Sequence, residues 1–197
     1  MKNILLYTIT CIIAFSGWAT VFYNYYTSVP KISGQVFQVM VGQMKHPTIA
    51  NKELTTFTTY LYLINKGRSA LHILDYEMEA LVDGKWQRLE RVYGVHTIKN
   101  LEFLSPEGHK IEIKNFSDNL IYRKNLPVEF GKPLLGWIVF AGDSSLHDKA
   151  IPEYRITCID AFRNKHVIIS KRDQFQNILL LQDLADIVIP ADAITNR

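Results

Sequence analysis

The chain has 197 residues, with 22 Lys and Arg against 19 Asp and Glu and a hydrophobic share of 48%. A net charge of +3 with interspersed signs is too small for a nucleic-acid footprint, and two cysteines cannot build a disulfide scaffold. Residues 1–30 carry a single charged side chain, Lys2, so the other 167 hold 21 basic and 19 acidic groups, the content of an ordinary soluble domain.

The leader comes first. Ile4 to Phe22 is free of charge. As a helix rising ~1.5 Å per residue it would span ~28 Å, which matches a hydrocarbon core of ~30 Å. The hydroxyls of Thr8, Thr10, Ser16 and Thr20 can bond back to helical carbonyls, so they do not veto that reading. Trp18, Phe22, Tyr23, Tyr25 and Tyr26 form an aromatic cluster suited to a headgroup boundary, and Pro30 stops the helix. We expect residues 1–30 to be a single-pass N-terminal anchor, contacting the lipid bilayer through residues 4–22. The rival expectation is a signal peptide cut at Gly17-Trp18-Ala19, although the apolar stretch runs on past that site. Cys11 lacks the small preceding residue of a lipoprotein cysteine. With Lys2 on the short side, the positive-inside rule puts the N-terminus in the cytoplasm and the body outside it, in a periplasm if the cell is bacterial.

Residues 31–170 read as β structure. Phe37 to Val41 has apolar odd positions, and Glu53 to Ile64 places Phe57, Leu61 and Leu63 on one face with Thr55 and Thr59. The clearest alternation runs from Leu74 to Val82. Leu74, Tyr76, Met78, Ala80 and Val82 point one way, while Asp75, Glu77 and Glu79 point to a wet face. Asp83-Gly84 suits a type I′ hairpin turn into a return strand at Lys85–Leu89, because both central residues need positive φ. Further strands are expected at Ile98–Phe103, Lys110–Lys114, Leu135–Phe140, Tyr154–Ile159 and His166–Ser170. Asn65-Lys66-Gly67, Pro106-Glu107-Gly108 and Arg163-Asn164-Lys165 supply turns. Seven to nine short strands without a long helical period predict an all-β, antiparallel Ig-like β-sandwich. Residues 171–197 are expected to form a C-terminal extension, with a capping box at Ser170–Asp173 leading into a helix over residues 174–188, or else a strand through Ile178–Leu181.

No catalytic, cofactor or metal residue is assigned. The six histidines are scattered, none as an i, i+4 pair, and Cys158 has no nearby thiol. Cys158 falls in phase with Tyr154 and Ile156, so it reads as a small core residue. Glu77 and Glu79 read as solubility groups, and Lys85–Lys124, with eight basic and five acidic residues, as a solvated surface. Asn115-Phe116-Ser117 is a glycosylation sequon that matters only in a eukaryotic cell.

Val139-Phe140-Ala141-Gly142-Asp143-Ser144 resembles the first block of the GDSL-type esterases and lipases, which would make Ser144 a nucleophile. The block lies late in a β-rich chain, and no Asp-x-x-His follows it. More broadly, Phe57–Leu63, Asn65-x-Gly67, Ile73–Val82 and Gly136–Phe140 resemble the Ig-like β-sandwich domains of small exported bacterial proteins, a resemblance that implies binding or scaffolding. The expected function is therefore a membrane-anchored, extracytoplasmic interaction or assembly module with a protein partner, acting by edge-strand addition and without catalysis. The alternatives are an envelope serine hydrolase at Gly142-Asp143-Ser144 or an unseen His–Asp pair, and a carbohydrate or ligand binder using Trp86, Trp137 or nearby tyrosines.

Overall fold

A computed structural model describes residues 2–46, 49, 52–92, 100–104, 110–114, 120–121, 125–175 and 187–188, with no account of the side chains of 2–6, 100–104, 110–114 and 187–188. Among the described residues one α-helix, α1 (Lys2–Ser28), leads into a mostly antiparallel β body. The body strands are β1 (Ile32–Lys45), β2 (Glu53–Asn65), β3 (Ile73–Val82), β4 (Lys85–Arg91), β5 (Asn100–Leu104), β6 (Lys110–Lys114), β7 (Pro133–Asp143), β8 (Glu153–Asp160), β9 (Lys165–Lys171) and β10 (Ile187–Val188). Each strand expected from the alternation is present. Asp83 and Gly84 join β3 to β4 with φ of 50° and 77°, the backbone that makes Asp-Gly a hairpin signal.

Seven strands form one sheet in the order β1-β2-β7-β4-β3-β8-β9, and β10-β6-β5 form a second. The large sheet curls. β4 pairs with β3 through Lys85–Leu89 but with β7 at Glu90 and Arg91, so it carries the sheet around a corner. The two edge strands thereby approach each other, and the buried Ser170 hydroxyl of β9 accepts the amide N–H of Val36 in β1 at 3.1 Å. Inside the curl, Phe57, Leu61, Leu63, Ile138 and Phe140 pack opposite Tyr76, Met78, Ala80, Ile156 and Cys158 in one apolar core. The Phe57 and Tyr154 rings meet edge-on at 6.3 Å.

The opposite face of β2 and β7 is also buried. Tyr60, Trp137, Val139 and Ala141 alternate with the core residues along their strands, yet each is nearly inaccessible. Tyr60 packs on Trp137 at 4.6 Å, and the Leu120 amide donates to the Trp137 carbonyl at 2.8 Å. β2 and β7 are thus two-sided strands, which explains the nearly continuous apolar run of β7 over residues 134–141 and the burial of all four threonines of β2.

Two details of register depart from simple alternation. In β1 the pairing shifts between Val36 and Gln38. Val36 therefore faces the core with Val39 and Val41, while Phe37 stacks on Tyr62 at 5.4 Å. In β3 the pairing with β8 shifts between Ile73 and Asp75, so Ile73 is buried and Leu74 is left partly exposed. An extra residue in one strand reverses the facing of what precedes it. The expected capping box at Ser170 is not formed: Lys171 holds the N-cap position of a single 3-10 turn, Arg172–Gln174, its amide donating to the Gln174 side chain at 3.3 Å, and Ser170 is engaged with Val36 instead. Phe175 follows in extended backbone, stacked on Tyr154 at 5.9 Å. The helix expected over residues 174–188 is not formed at its described ends, since Phe175 is extended and Ile187–Val188 pairs with β6 as β10; the alternative strand through Ile178–Leu181 lies outside the described residues, as do the sequon and Pro106-Glu107-Gly108.

Candidate functional site

The strands run between two ends, and two buried polar side chains with four hydrogen bonds each, Asn65 and Asp160, lie at the end where α1 joins. Asn65, the last residue of β2, is fully buried. Its Oδ1 accepts the amide N–H groups of Lys31 (3.1 Å) and Gly67 (2.9 Å). Its Nδ2 donates to the carbonyls of Ser69 (2.7 Å) and Val128 (3.0 Å). One side chain thus ties the start of β1, the β2–β3 turn and the 125–132 loop. The same turn caps α1: the amides of Arg68 and Ser69 donate to the carbonyls of Thr27 (3.0 Å) and Ser28 (3.2 Å), acceptors that a helix leaves unpaired at its C-terminus. Gly67 makes this approach possible. A methyl group there would lie 2.8 Å from the Pro30 Cα and closer still to the Val29 carbonyl oxygen. Gly67→Ala is expected to cost about 2–3 kcal/mol as an overpacking substitution, read as a lowered urea midpoint of the full chain in detergent.

A second hub, Asp160, ends β8 at the same end of the body. It is buried, and its Oδ1 accepts the Phe162 and Asn164 amides at 2.8 Å each. Its Oδ2 meets the Asn164 amide nitrogen and His166 Nε2 at 3.0 Å each. Burial alone would raise this carboxyl, but the hydrogen bonds from His166, Asn164 and Phe162 outweigh it and hold the group below the usual carboxylate range. The Asx turn also holds Arg163 at a φ of 67°.

This is a His–Asp pair, but Ser144 is remote from it. Ile73 at the start of β3 pairs with Asp160, while Asp83 beyond the other end of β3 bonds to Lys149, five residues after Ser144. A ten-residue strand at ~3.3 Å per residue therefore separates the two, roughly 30 Å. Ser144 begins a 3-10 turn capped by Asp143, whose Oδ1 accepts the Ser145 amide at 3.0 Å; that bond holds the exposed Asp143 carboxyl low. The Ser144 carbonyl accepts the Thr55 hydroxyl at 3.2 Å. This geometry is that of a capped turn.

The other sequence candidates fall as follows. Asp75, Glu77 and Glu79 form a ladder of ion pairs with bases on neighbouring strands: Arg91 with Asp75, Arg88 with Glu77 at 2.9 Å, Arg155 with Glu79 at 3.0 Å. Trp137 is 1% exposed and offers no face to a sugar; the half-buried Trp86 carries the Arg155 guanidinium 4.0 Å over its ring. Cys158 is buried, which pushes its thiol up to about 12. Among the described residues no group of three His, Cys, Asp or Glu could hold a metal ion. An open groove of about 580 Å³ lies along β1 and β2, lined by Gln35, the stacked Phe37 and Tyr62, Ile64 and Lys66. Sequence reasoning missed this pair, because Phe37 takes its place on that face only through the register shift in β1.

No family model, no curated protein and no solved structure matches this chain.

Proposed function

We propose that α1 anchors this protein in a membrane and that the β body, outside the cytoplasm, is a protein-interaction or assembly module. The observation that carries the proposal is the surface of α1: every side chain from Tyr7 to Tyr26 is exposed, among them Ile9, Ile12, Ile13, Phe15, Trp18, Val21 and Phe22. An apolar surface of that extent is a binding surface, and lipid fits a helix that is apolar all round. Among the described residues, no helix is long and apolar enough to cross a membrane. The apolar triplet Ile4-Leu5-Leu6 precedes the first described side chain, and the anchor reading takes it into the span. Ser16 and Thr20 support that reading, since their hydroxyls bond back to the carbonyls of Ile13 and Ser16 at 2.8 and 2.9 Å.

We read the curled sheet as an Ig-like sandwich, with β1-β2-β7 facing β4-β3-β8-β9 across the core and β4 turning the corner. Edge-strand addition suits β1. Beyond Val36, where Ser170 meets it, the side of β1 away from β2 has no strand partner among the described residues.

Two measurements test the proposal. The full chain is expected to stay with the membrane through carbonate washing, and a reporter active only in the cytoplasm is expected to be silent when fused after Arg197. A photo-crosslinker at Gln43 on β1 is expected to capture a partner in intact cells that the same group at Gln87 on β4 does not. Release into the supernatant overturns the anchor, and equal or absent capture at both positions overturns edge addition.

A further inference from the structure

The two ends of the body differ in charge and in exposed apolar surface. The end that joins α1 consists of residues 29–32, 65–72, 125–132 and 160–165, brought together by the Asn65 hub, the bridges of Asn65 to Phe130 and of Leu71 to Val128, and the Ala161 amide bound to the His72 carbonyl. It carries six basic residues against two acidic ones. Glu129 is engaged by Lys132 and Asp160 is buried, so Lys31, Lys66, Arg68 and Arg163 stand exposed around the base of the helix. Three large apolar side chains stand out among them: Phe162 is 75% exposed, Phe130 58% and Leu126 53%. The far end, with the described residues 45, 46, 49, 52, 53, 82–85, 143–153 and 171–173, balances six basic residues with six acidic ones and exposes one large apolar side chain, Ile49, at 49%.

Exposed cations interleaved with exposed aromatic rings have the chemistry of a surface that meets anionic headgroups. The placement gives the occupant. The turn bearing Lys66 and Arg68 is hydrogen-bonded to the last carbonyls of α1, after the tyrosines at 23, 25 and 26, and the Lys31 ammonium lies 3.8 Å over the Tyr26 ring. The β8–β9 tip is not loose, because Asp160 binds the amides on either side of Arg163 and so sets Phe162 outward. We infer that this end of the body is a docking surface for anionic lipid headgroups, with Phe162 and Phe130 entering the interface and the four cations pairing with lipid phosphates. The inference rests on the anchor reading, which brings this end to the bilayer; it adds a lipid class and a fixed stance of the body on the membrane.

The test uses the full chain, carrying Phe162→Trp and Trp18→Phe, in vesicles of phosphatidylcholine alone or mixed with phosphatidylglycerol. A headgroup spin-labelled lipid is expected to quench the introduced indole strongly only in the mixed vesicles. Lys66→Gln, Arg68→Gln and Arg163→Gln together are expected to lower the docked-to-undocked ratio on the order of 100-fold, about fivefold per cation. All three positions are exposed, and an unchanged urea midpoint confirms that the fold is kept. Equal quenching in neutral vesicles, or quenching that survives loss of the cations, overturns the headgroup docking. In the unaltered chain, Trp18 is quenched by a chain-labelled lipid if α1 is inserted. Quenched Trp18 with an unquenched tip overturns the docking alone, whereas unquenched Trp18 overturns the anchor and the docking with it.

Discussion

Asn65→Ala is expected to remove about 3–5 kcal/mol of stability, because it removes four hydrogen bonds at once, two of them fully buried, and leaves only the Val128 carbonyl a second donor, the Leu71 amide. The amides of Lys31 and Gly67 lose their acceptor, and the carbonyls of Ser69 and Val128 lose a donor. Each stranded group costs about 1–3 kcal/mol, reduced where water or a small shift repairs it. Asn65→Asp is the informative control. It keeps an acceptor for the two amides but turns a carboxylate oxygen toward two carbonyl oxygens, so at neutral pH it is expected to fare no better than alanine. The measurement is the urea midpoint of the full chain in detergent, followed by tryptophan emission. A loss below ~1 kcal/mol for Asn65→Ala would show that the junction is held by the backbone bonds of the turn instead. Amide exchange supplies a second readout. The Arg68 and Ser69 amides, which cap α1, are expected to lose protection in the variant before the amides of β8 do.

Asp160→Ala is expected to cost about 3–4 kcal/mol, since it leaves the Phe162 and Asn164 amides and two side-chain nitrogens without their shared acceptor. The pH dependence has a definite sign. The carboxyl is held below its unfolded value, near 3.9, so the unfolded chain takes up the proton first. The contribution of Asp160 is therefore complete above about pH 5 and is lost as pH falls through its folded value. Wild-type stability is expected to drop between about pH 5 and pH 2 by more than that of Asp160→Asn, which lacks the titration. Parallel profiles for the two chains would remove Asp160 from the acid response. Arg163 and Phe162 are the residues whose positions depend on this carboxylate, so the same variant is expected to loosen the hairpin tip that we infer to meet lipid.

Both hubs sit at turns that the sequence marks plainly, Asn65-Lys66-Gly67 and Arg163-Asn164-Lys165, yet neither hub is legible there. An Asn before Lys-Gly reads as ordinary turn chemistry. Only the return of the chain from 125–132, some sixty residues later, makes Asn65 a buried four-bond clamp. Asp160 likewise reads as the wet end of a strand, and His166 as one of six scattered histidines, until the β8–β9 hairpin folds them onto each other. The hydrolase candidate is decided by the same kind of distance. Ser144 lies only sixteen residues from Asp160 in sequence, but β8 runs the length of the body between them.

What the amino-acid sequence determines by itself is local and periodic: the uncharged run Ile4–Phe22, the alternation that places Tyr76, Met78 and Ala80 against Asp75, Glu77 and Glu79, and the Asp83-Gly84 turn. These follow from one residue and its near neighbours, because side-chain facing has period two and positive φ selects Asp-Gly. What only the tertiary structure decides is whatever depends on distant segments meeting. That includes the burial of both faces of β2 and β7, the meeting of the β1 and β9 edges, and the gathering of Lys31, Lys66, Arg68 and Arg163 at the base of α1. Charge shows the point most clearly. A net +3 is uninformative in composition, but antiparallel strands return their turns to two opposite ends, and among the described residues the excess positive charge gathers at the one where α1 ends.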